Sequence, residues 1–432
     1  MSKVRSTVKG LLPHGLFRVI EPWGHLVEAV IWTVIYGFPA RKMHVIGVTG
    51  TNGKTTTSFM IHSILAKAGY NVALMTTVAN GVGENIVPQV AHMTTVSSRL
   101  LQKRLREYRK QGVEWLVLET TSHALAQHRV WGVPYEIAVM TNITHEHLDY
   151  HGTFEHYLNA KRKLFRIANR HGRKFGVVNA DDQNANRFTS AIKNFTTYGV
   201  NGGDLRASSI NLRPDGSTYT VVMGRNKFDV ECSIPGEFNV YNSLAAIAVA
   251  NKIGLRFEQI QQGLIALKGV EGRMATVDEG QDFSVIVDFA HTPDSFERLL
   301  SDLRNSTKGK LVVLFGSAGR RDEAKRWTQG EIAGKYADEV IITEEDDRDI
   351  DGNLILSQIA EGAARSGKVK DQNMFLILDR SSAIQFAMKR VSGKDDAVIL
   401  LGKGHEKTIE RADGEHPWNE MEEARRAIQA TK

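Results

Sequence analysis

An α/β protein built on two sheets is what this chain predicts, and three observations carry the prediction. Apolar, β-branched runs alternate with amphipathic stretches from Met43 onward, the alternation starts again after residue 273, and a glycine-rich turn joins the first run to the helical stretch behind it. The 432 residues are 42% hydrophobic and 24% charged, a balance that excludes disordered and fibrous classes and allows two or three domains with real cores. The single cysteine, Cys232, excludes an internal disulfide and any multi-cysteine metal site, so the cytoplasm is the expected compartment. A net charge of +6 suits anionic small substrates and nucleic acid alike.

Taken in order, residues 1–42 hold no strand pattern, only the hydrophobic stretch 26–38, which contains Glu28. It is well short of the ~20 apolar residues a spanning helix needs. An amphipathic helix on the protein's own surface is expected, with peripheral membrane contact left open, and no small-residue cleavage site follows to suggest secretion. The runs MHVIGV, VALM, WLVLE, IAVMTN and FGVVNA then read as strands of a mostly parallel sheet wrapped by helices. Segments such as STYTVVM and FDVECSI, within 195–233, alternate in period two and predict an antiparallel edge meander of the same domain. Helical patterns return at 239–252 and 257–267, and 269–273 makes a hinge. FSVIVDFA, KLVVLFGSAG, DEVIITE, MFLILD and AVILLGKG, interleaved with helices at 293–303 and 382–390, form a second and smaller Rossmann-like α/β domain. The expected division is therefore a short segment 1–42, a central domain 43–272 and a C-terminal domain 273–432, with substrates in a cleft between the two domains.

The strongest local motif is GVTGTNGKT, residues 47–55, between a β-branched strand and a helix opening at Lys54. This is the context of a phosphate loop, so the central domain is P-loop ATPase-like. Gly50, Thr51, Asn52 and Gly53 let backbone N–H groups turn toward an anion, and Thr56 continues the helix whose N-terminus favours it. Lys54 reaches the terminal phosphates and the Thr55 hydroxyl can ligate Mg²⁺. Glu119 ends the apolar run 115–118 at the carboxyl edge of a neighbouring strand, where a nucleotide-bound Mg²⁺ takes a second protein ligand. These pieces fit an NTPase switch, a kinase or a ligase. Between 141 and 161 the chain reads TNITHEHLDYHGTFEHYLNAK, with His145, His147, His151 and His156 close together, and metal binding by at least one of them is expected.

The blocks TGTNGKTTT, ETTSHALAQHRV, TNITHEHLDYHG, YLNAK, GEFNVYNSLAA, EGRMATV, VDFAHTPDS, GSAGRRDEAKR, DRSSAI and GKGHE, in that order over about 43–430, resemble the Mur ligases of cell-wall synthesis, in particular those adding the third residue of the peptide stem. The resemblance implies that ATP phosphorylates a substrate carboxylate and an amino acid's amine attacks the acyl phosphate. It implies a first Mg²⁺ held by Thr55 and Glu119, a second on His147, and a Lys161 carbamylated by CO₂. It places Asn142, Asn239, Asn242, Arg273, Asp288 and His291 with Lys54 and the loop around ATP. It places Thr94, Thr95, Ser122, Gln127 and Arg129 on a muramoyl-peptide-like acceptor, and Arg321, Asp346, Arg348, Gly402 and Glu406 on the incoming amino acid.

Two departures stand out. The Asp-Asn-Pro-Arg motif of the diaminopimelate-adding members reads Asp346-Asp347-Arg348 in its last three positions, which adds negative charge where a carboxylate docks. A diamino acid is expected, with diaminopimelate ahead of lysine. The second departure is that about forty leading residues cannot form the family's uridine-nucleotide domain, so recognition of that nucleotide lies elsewhere or the acceptor differs. A monomer without nucleic-acid partners is expected. The sibling folylpolyglutamate and cyanophycin synthetases, and a non-catalytic ATP-binding protein, stay open as alternatives. The lipid II amidating subunit carries a four-cysteine zinc ribbon, which one cysteine excludes.

Overall fold

The computed structural model describes residues 14–89, 94–144, 147–213, 216–320 and 323–431. Its eleven-stranded sheet comprises β1 (His44–Thr49), β2 (Val72–Met75), β3 (Ala79–Val82), β4 (Asn85–Pro88), β5 (Trp115–Glu119), β6 (Tyr135–Met140), β7 (Phe175–Asn179), β8 (Asn194–Gly199), β9 (Leu205–Arg213), β10 (Gly216–Met223) and β11 (Asn226–Cys232). They lie in the order β11-β10-β9-β8-β7-β6-β1-β5-β2-β3-β4. Strands β1, β2, β5, β6 and β7 pair in parallel, and their near-continuous apolar sequences are buried almost throughout, as a sheet covered on both faces requires. Strands β8 to β11 form the far edge, but β8 pairs in parallel with both β7 and β9, so the antiparallel meander expected from residue 195 does not begin there. By compactness the chain falls into two units, 1–209 with 219–230 and 240–266, and 210–218 with 231–239 and 267–432. The division thus runs through the meander and the start of the next helix, where the sequence suggests a single break near 272.

In the first unit, α1 (His14–Ile35) buries His25, Ala29 and Thr33, one side of an amphipathic helix. Thr33 Oγ1 donates to Ala29 O at 2.7 Å and lies 3.2 Å from Trp131 O. No helix among the described residues is long and apolar enough to cross a membrane. Helix α2 (Lys54–Lys67) follows the glycine-rich turn and is buried on most of its sides. It meets the helix Phe257–Ala266 at Gly263, where a Cβ would stand 2.3 Å from Ile64 Cα; only glycine permits that approach. Helix α3 (Ser98–Lys110) buries Leu101, Leu105 and Tyr108 and turns its many cations outward.

The second unit holds a six-stranded sheet of β12 (Ala275–Thr276), β13 (Ser284–Asp288), β14 (Leu311–Phe315), β15 (Glu339–Ile342), β16 (Met374–Leu376) and β17 (Ala397–Leu401), in the order β12-β13-β17-β14-β15-β16. All its pairings are parallel except that of β12 with β13. The helix Pro293–Ser306 opens on a capping box between Thr292 and Ser295. At its core, Arg380 and Glu420 form a pair with neither side chain exposed. Arg380 also donates to Glu344 O at 2.9 Å and Leu401 O at 2.8 Å, so the buried guanidinium is paired and hydrogen-bonded.

Candidate active site

Parallel register brings the motif residues of the first unit together. Val48 lies opposite Glu119 and Thr49 opposite Met140, so the phosphate loop after β1, the carboxylate ending β5 and the segment after β6 emerge side by side at the carboxyl edge of the sheet. That edge is where open parallel sheets bind ligands. Gly50 has φ +152°, and a Cβ there would fall 1.8 Å from Thr141 Oγ1; Gly53 has φ +80°, and a Cβ there would fall 2.3 Å from Asn242 Oδ1. Both glycines are required by left-handed backbone and by the close approach of a polar side chain.

The loop is braced from the β6 side. Asn142 Oδ1 accepts from Asn52 N at 2.9 Å, its Nδ2 donates to Asn52 O at 3.1 Å, and its carbonyl accepts from Thr51 N at 2.7 Å. Thr141 Oγ1 donates to Asn52 O at 2.6 Å, and Thr51 Oγ1 lies 2.8 Å from the Tyr157 hydroxyl. Lys54 Nζ donates to Thr51 O at 2.6 Å, within the loop itself. Asn242 accepts from Thr57 Oγ1 at 3.2 Å, against the start of α2. The buried Lys161 donates to Gly50 O and stands 4.6 Å from the Tyr157 ring centre. A residue 111 positions downstream is thereby tied to the base of the phosphate loop.

Glu119 is buried and held by three donors. Thr55 Oγ1 reaches Oε2 at 3.0 Å, Thr77 N reaches Oε2 at 3.0 Å and Thr77 Oγ1 reaches Oε1 at 3.0 Å. Hard oxygen donors in this pairing, a hydroxyl and a carboxylate beside a phosphate loop, fit Mg²⁺. Thr77, Thr141 and Tyr157 are residues of this network that sequence reasoning did not single out. Thr77 lies outside every motif block, while Thr141 and Tyr157 open two of them, and only the fold brings all three to the loop.

The acceptor-side expectations also cluster. Thr94 Oγ1 lies 3.1 Å from Thr77 Oγ1, and Thr95 Oγ1 donates to Glu119 O at 3.1 Å. Arg129 donates to Gln127 Oε1 at 2.7 Å and to Thr95 O at 2.9 Å, and Ser122 Oγ lies 3.0 Å from His151 Nε2. Among the described residues no three His, Cys, Asp or Glu side chains converge on one point. His151 is engaged with Ser122, and His156 Nδ1 lies 3.2 Å from His151 O. His147 is exposed at φ +56°, its ring 4.7 Å from that of His123. His145 lies outside the described residues.

In the second unit, Asp288 at the end of β13 accepts from Met274 N and Ala290 N, both at 2.7 Å, and so fixes the segment that carries Arg273. Burial pushes its carboxyl up, opposed by the Arg273 charge. Arg273 lies over Phe289 at 5.1 Å, and its Nε is buried without a partner among the described residues. Burial pushes His291 down, and burial with the neighbouring Arg273 pushes His405 down to about 3. Both imidazoles are neutral at pH 7. Asn239 donates to Pro235 O at 2.6 Å and serves its local turn.

Two carboxylates of the acidic run after β15 are paired with cations, so part of its negative charge is offset. Glu344 pairs with Arg411 at 2.7 Å, and Asp346 accepts from Lys403 Nζ at 2.8 Å and Glu410 N at 2.9 Å. Lys403 also holds Glu406 at 2.6 Å. Arg348 donates to Glu410 at 2.7 Å and to Gly319 O at 2.7 Å, so its fork is engaged. Gly402, at φ +101°, would place a Cβ 2.7 Å from Glu345 Oε2, a buried oxygen with no partner among the described residues. Arg321 lies outside the described residues.

Comparison with known proteins identifies the family. The Mur ligase middle domain matches residues 48–250, and the Mur ligase glutamate ligase domain matches residues 272–404. A UDP-N-acetylmuramyl-tripeptide synthetase of Roseiflexus sp. (strain RS-1) is 40% identical over 97% of this chain and 84% of its own length. A UDP-N-acetylmuramoyl-L-alanyl-D-glutamate–2,6-diaminopimelate ligase of Bacillus licheniformis is 40% identical over 93% of this chain and 81% of its own. A solved structure of a ligase of that second name superimposes with a TM-score of 0.70 at 32% identity, covering 95% of this chain and 83% of that one. The chain belongs to the Mur ligase family of ATP- and Mg²⁺-dependent acid–amino-acid ligases.

Proposed function

We propose that this enzyme joins an amino acid, a diamino acid of the diaminopimelate or lysine kind, to the terminal carboxylate of a UDP-N-acetylmuramoyl dipeptide, in the cytoplasm and as a monomer. The observation that carries the reading is the braced phosphate loop beside the Thr55–Glu119–Thr77 network, in a chain 40% identical to ligases of that name over most of its length.

The loop from Gly50 to Gly53 would turn backbone N–H groups to the nucleotide's phosphates, those of Thr51 and Asn52 on release from Asn142, and Lys54, now on Thr51 O, would turn its ammonium to them. Thr55 and Glu119 would hold Mg²⁺, with His147 a ligand of a second ion. Bound there, Mg²⁺ supplies charge neutralisation between a phosphoryl group and an incoming carboxylate. Lys161 is a candidate for carbamylation: its amine is buried against the loop base, and a carbamate would exchange a cation for an anion able to share those ions. Arg129, oriented by Gln127, is a fork for the acceptor's carboxylate. Arg273, with its free Nε, and the neutral His291 would serve the nucleotide, together with Asn242 and Asp288. On the amine side, Glu406 and Asp346 flank Lys403, and Arg348 would have to leave Glu410 to take a distal carboxylate.

Phosphate release from Mg·ATP by the purified chain tests this across UDP-muramoyl dipeptide, its UDP-free form, and a panel of amines. Release that requires both acceptor and amine supports ligation and names the pair. No stimulation by any pair overturns the reading, and stimulation by a folyl acceptor alone replaces it.

A further inference from the structure

The side of α1 that faces away from the protein carries Trp23, Val27, Ile31, Val34 and Ile35, spaced by four, four, three and one residues, which is one helical face. These side chains are between 44% (Ile31) and 67% (Trp23) exposed. Together they line one exposed apolar stripe, and apolar side chains gathered on one exposed face mark a contact site where singly scattered ones do not. Across the helix the buried His25, Ala29 and Thr33 pack toward the protein, so the patch is not a frayed core face.

The flank of this patch is cationic. Helix α3, packed beside α1, contains six Lys or Arg and one acid, and Arg99, Lys103, Arg106, Arg109 and Lys110 are exposed. Arg99 lies over Trp32 at 4.9 Å and Arg106 near Tyr36 at 5.9 Å, which fixes two guanidinium groups alongside the aromatic side of α1. Arg41 and Lys42 at the end of the following turn are also exposed. A convex apolar stripe with Trp at its edge and fixed cations beside it suits a surface that is apolar below and anionic at the boundary.

We infer that α1 and α3 seat the enzyme on an anionic phospholipid bilayer, with the stripe inserted among acyl chains and the α3 cations on lipid phosphates. The helix lies in the interface and does not span. Two other occupants are disfavoured by charge. A second copy would bring two cationic flanks together, and residues 1–13 add Lys3, Arg5 and Lys9 with no acid to offset them.

The test is co-sedimentation of the full chain with vesicles of phosphatidylcholine alone or mixed with phosphatidylglycerol. The expected result is binding at least about tenfold stronger to the anionic vesicles, weakened as salt is raised. Ile31→Glu with Val34→Glu, both exposed positions with no assigned part in ligation, is expected to reduce that binding about tenfold or more while leaving phosphate release unchanged. Equal partitioning of the parent and double variant overturns the proposal, as does equal binding to neutral and anionic vesicles. The salt dependence of the unmodified chain decides the matter even where the double variant folds poorly. Absence of vesicle binding, with a dimer by light scattering that the double variant loses, would assign the stripe to a second copy instead.

Discussion

Replacing Thr77 by valine probes the carboxylate site most directly. Valine keeps the β-branch, the volume and the backbone N–H that bonds Glu119 Oε2, and removes only the hydroxyl that donates to Oε1 at 3.0 Å. Glu119 is 1% exposed, so water cannot readily replace the lost donor. A hydrogen bond to a charged group in such a place is worth about 1.5–3 kcal/mol. If the carboxylate must be aimed at a metal beside Thr55, loss of that donor lowers kcat/KM for Mg·ATP by roughly ten- to a hundredfold. The assay is initial-rate phosphate release with saturating acceptor and amine, varying Mg·ATP and then free Mg²⁺ at fixed ATP. Thr77→Ser, which keeps the hydroxyl, is expected to stay within about threefold of the parent, well below the effect of losing such a donor. A Thr77→Val enzyme within about twofold of the parent would refute the reasoning, because an effect that small is far below the cost of an unmade charged hydrogen bond. If serine is damaging and valine is not, Thr77 acts through its methyl packing.

Three further outcomes follow from the buried charges. His62 is pushed down to about 4, mainly by burial, so the unfolded chain takes up a proton before the folded one. Its neutral burial costs nothing above pH 6.5 and destabilises progressively as pH falls from 6.5 toward 4, by up to about 3 kcal/mol; His62→Leu should flatten that part of a urea-stability profile. Asp347 is pushed up to about 6 by burial, opposed by a backbone bond from Glu345 and reinforced by Glu344 and Glu345. Its folded form holds the proton more tightly, so stability drops as pH rises through 4 to 6; Asp347→Asn should raise stability by about 1–2 kcal/mol at pH 8 and leave it unchanged below pH 4. Arg380→Met strands the unexposed Glu420 and should cost about 3–5 kcal/mol in urea unfolding, much of it recovered when Glu420→Leu is added.

Much of the architecture was legible because it is written in local periodicity. The apolar runs became β1, β2, β5, β6 and β7, and the second series became β13 to β17, since a strand buried on both faces must be apolar at every position. The expected helix at 239–252 is Glu237–Ile253, and that at 257–267 is Phe257–Ala266. The phosphate loop was legible for a similar reason, as left-handed turns at Gly50 and Gly53 need glycine whatever lies around them. The density of histidines did not say which partners each ring takes, because frequency along the chain says nothing about convergence. His151 and His156 point to a serine hydroxyl and a backbone carbonyl.

By itself, then, the sequence determined the two α/β sheets, the phosphate loop and the amphipathic character of α1. Each depends on residues a few positions apart, where chain connectivity sets the geometry. The tertiary structure alone decided which groups meet across strands and helices. It placed Thr77 on Glu119, Tyr157 on Thr51 and Lys161 on Gly50, and it set Lys403, Arg380 and Arg411 against the acidic run 344–347. A carboxylate's effective charge depends on what stands within a few ångströms of it, and here those neighbours come from elements 36 to 67 positions away.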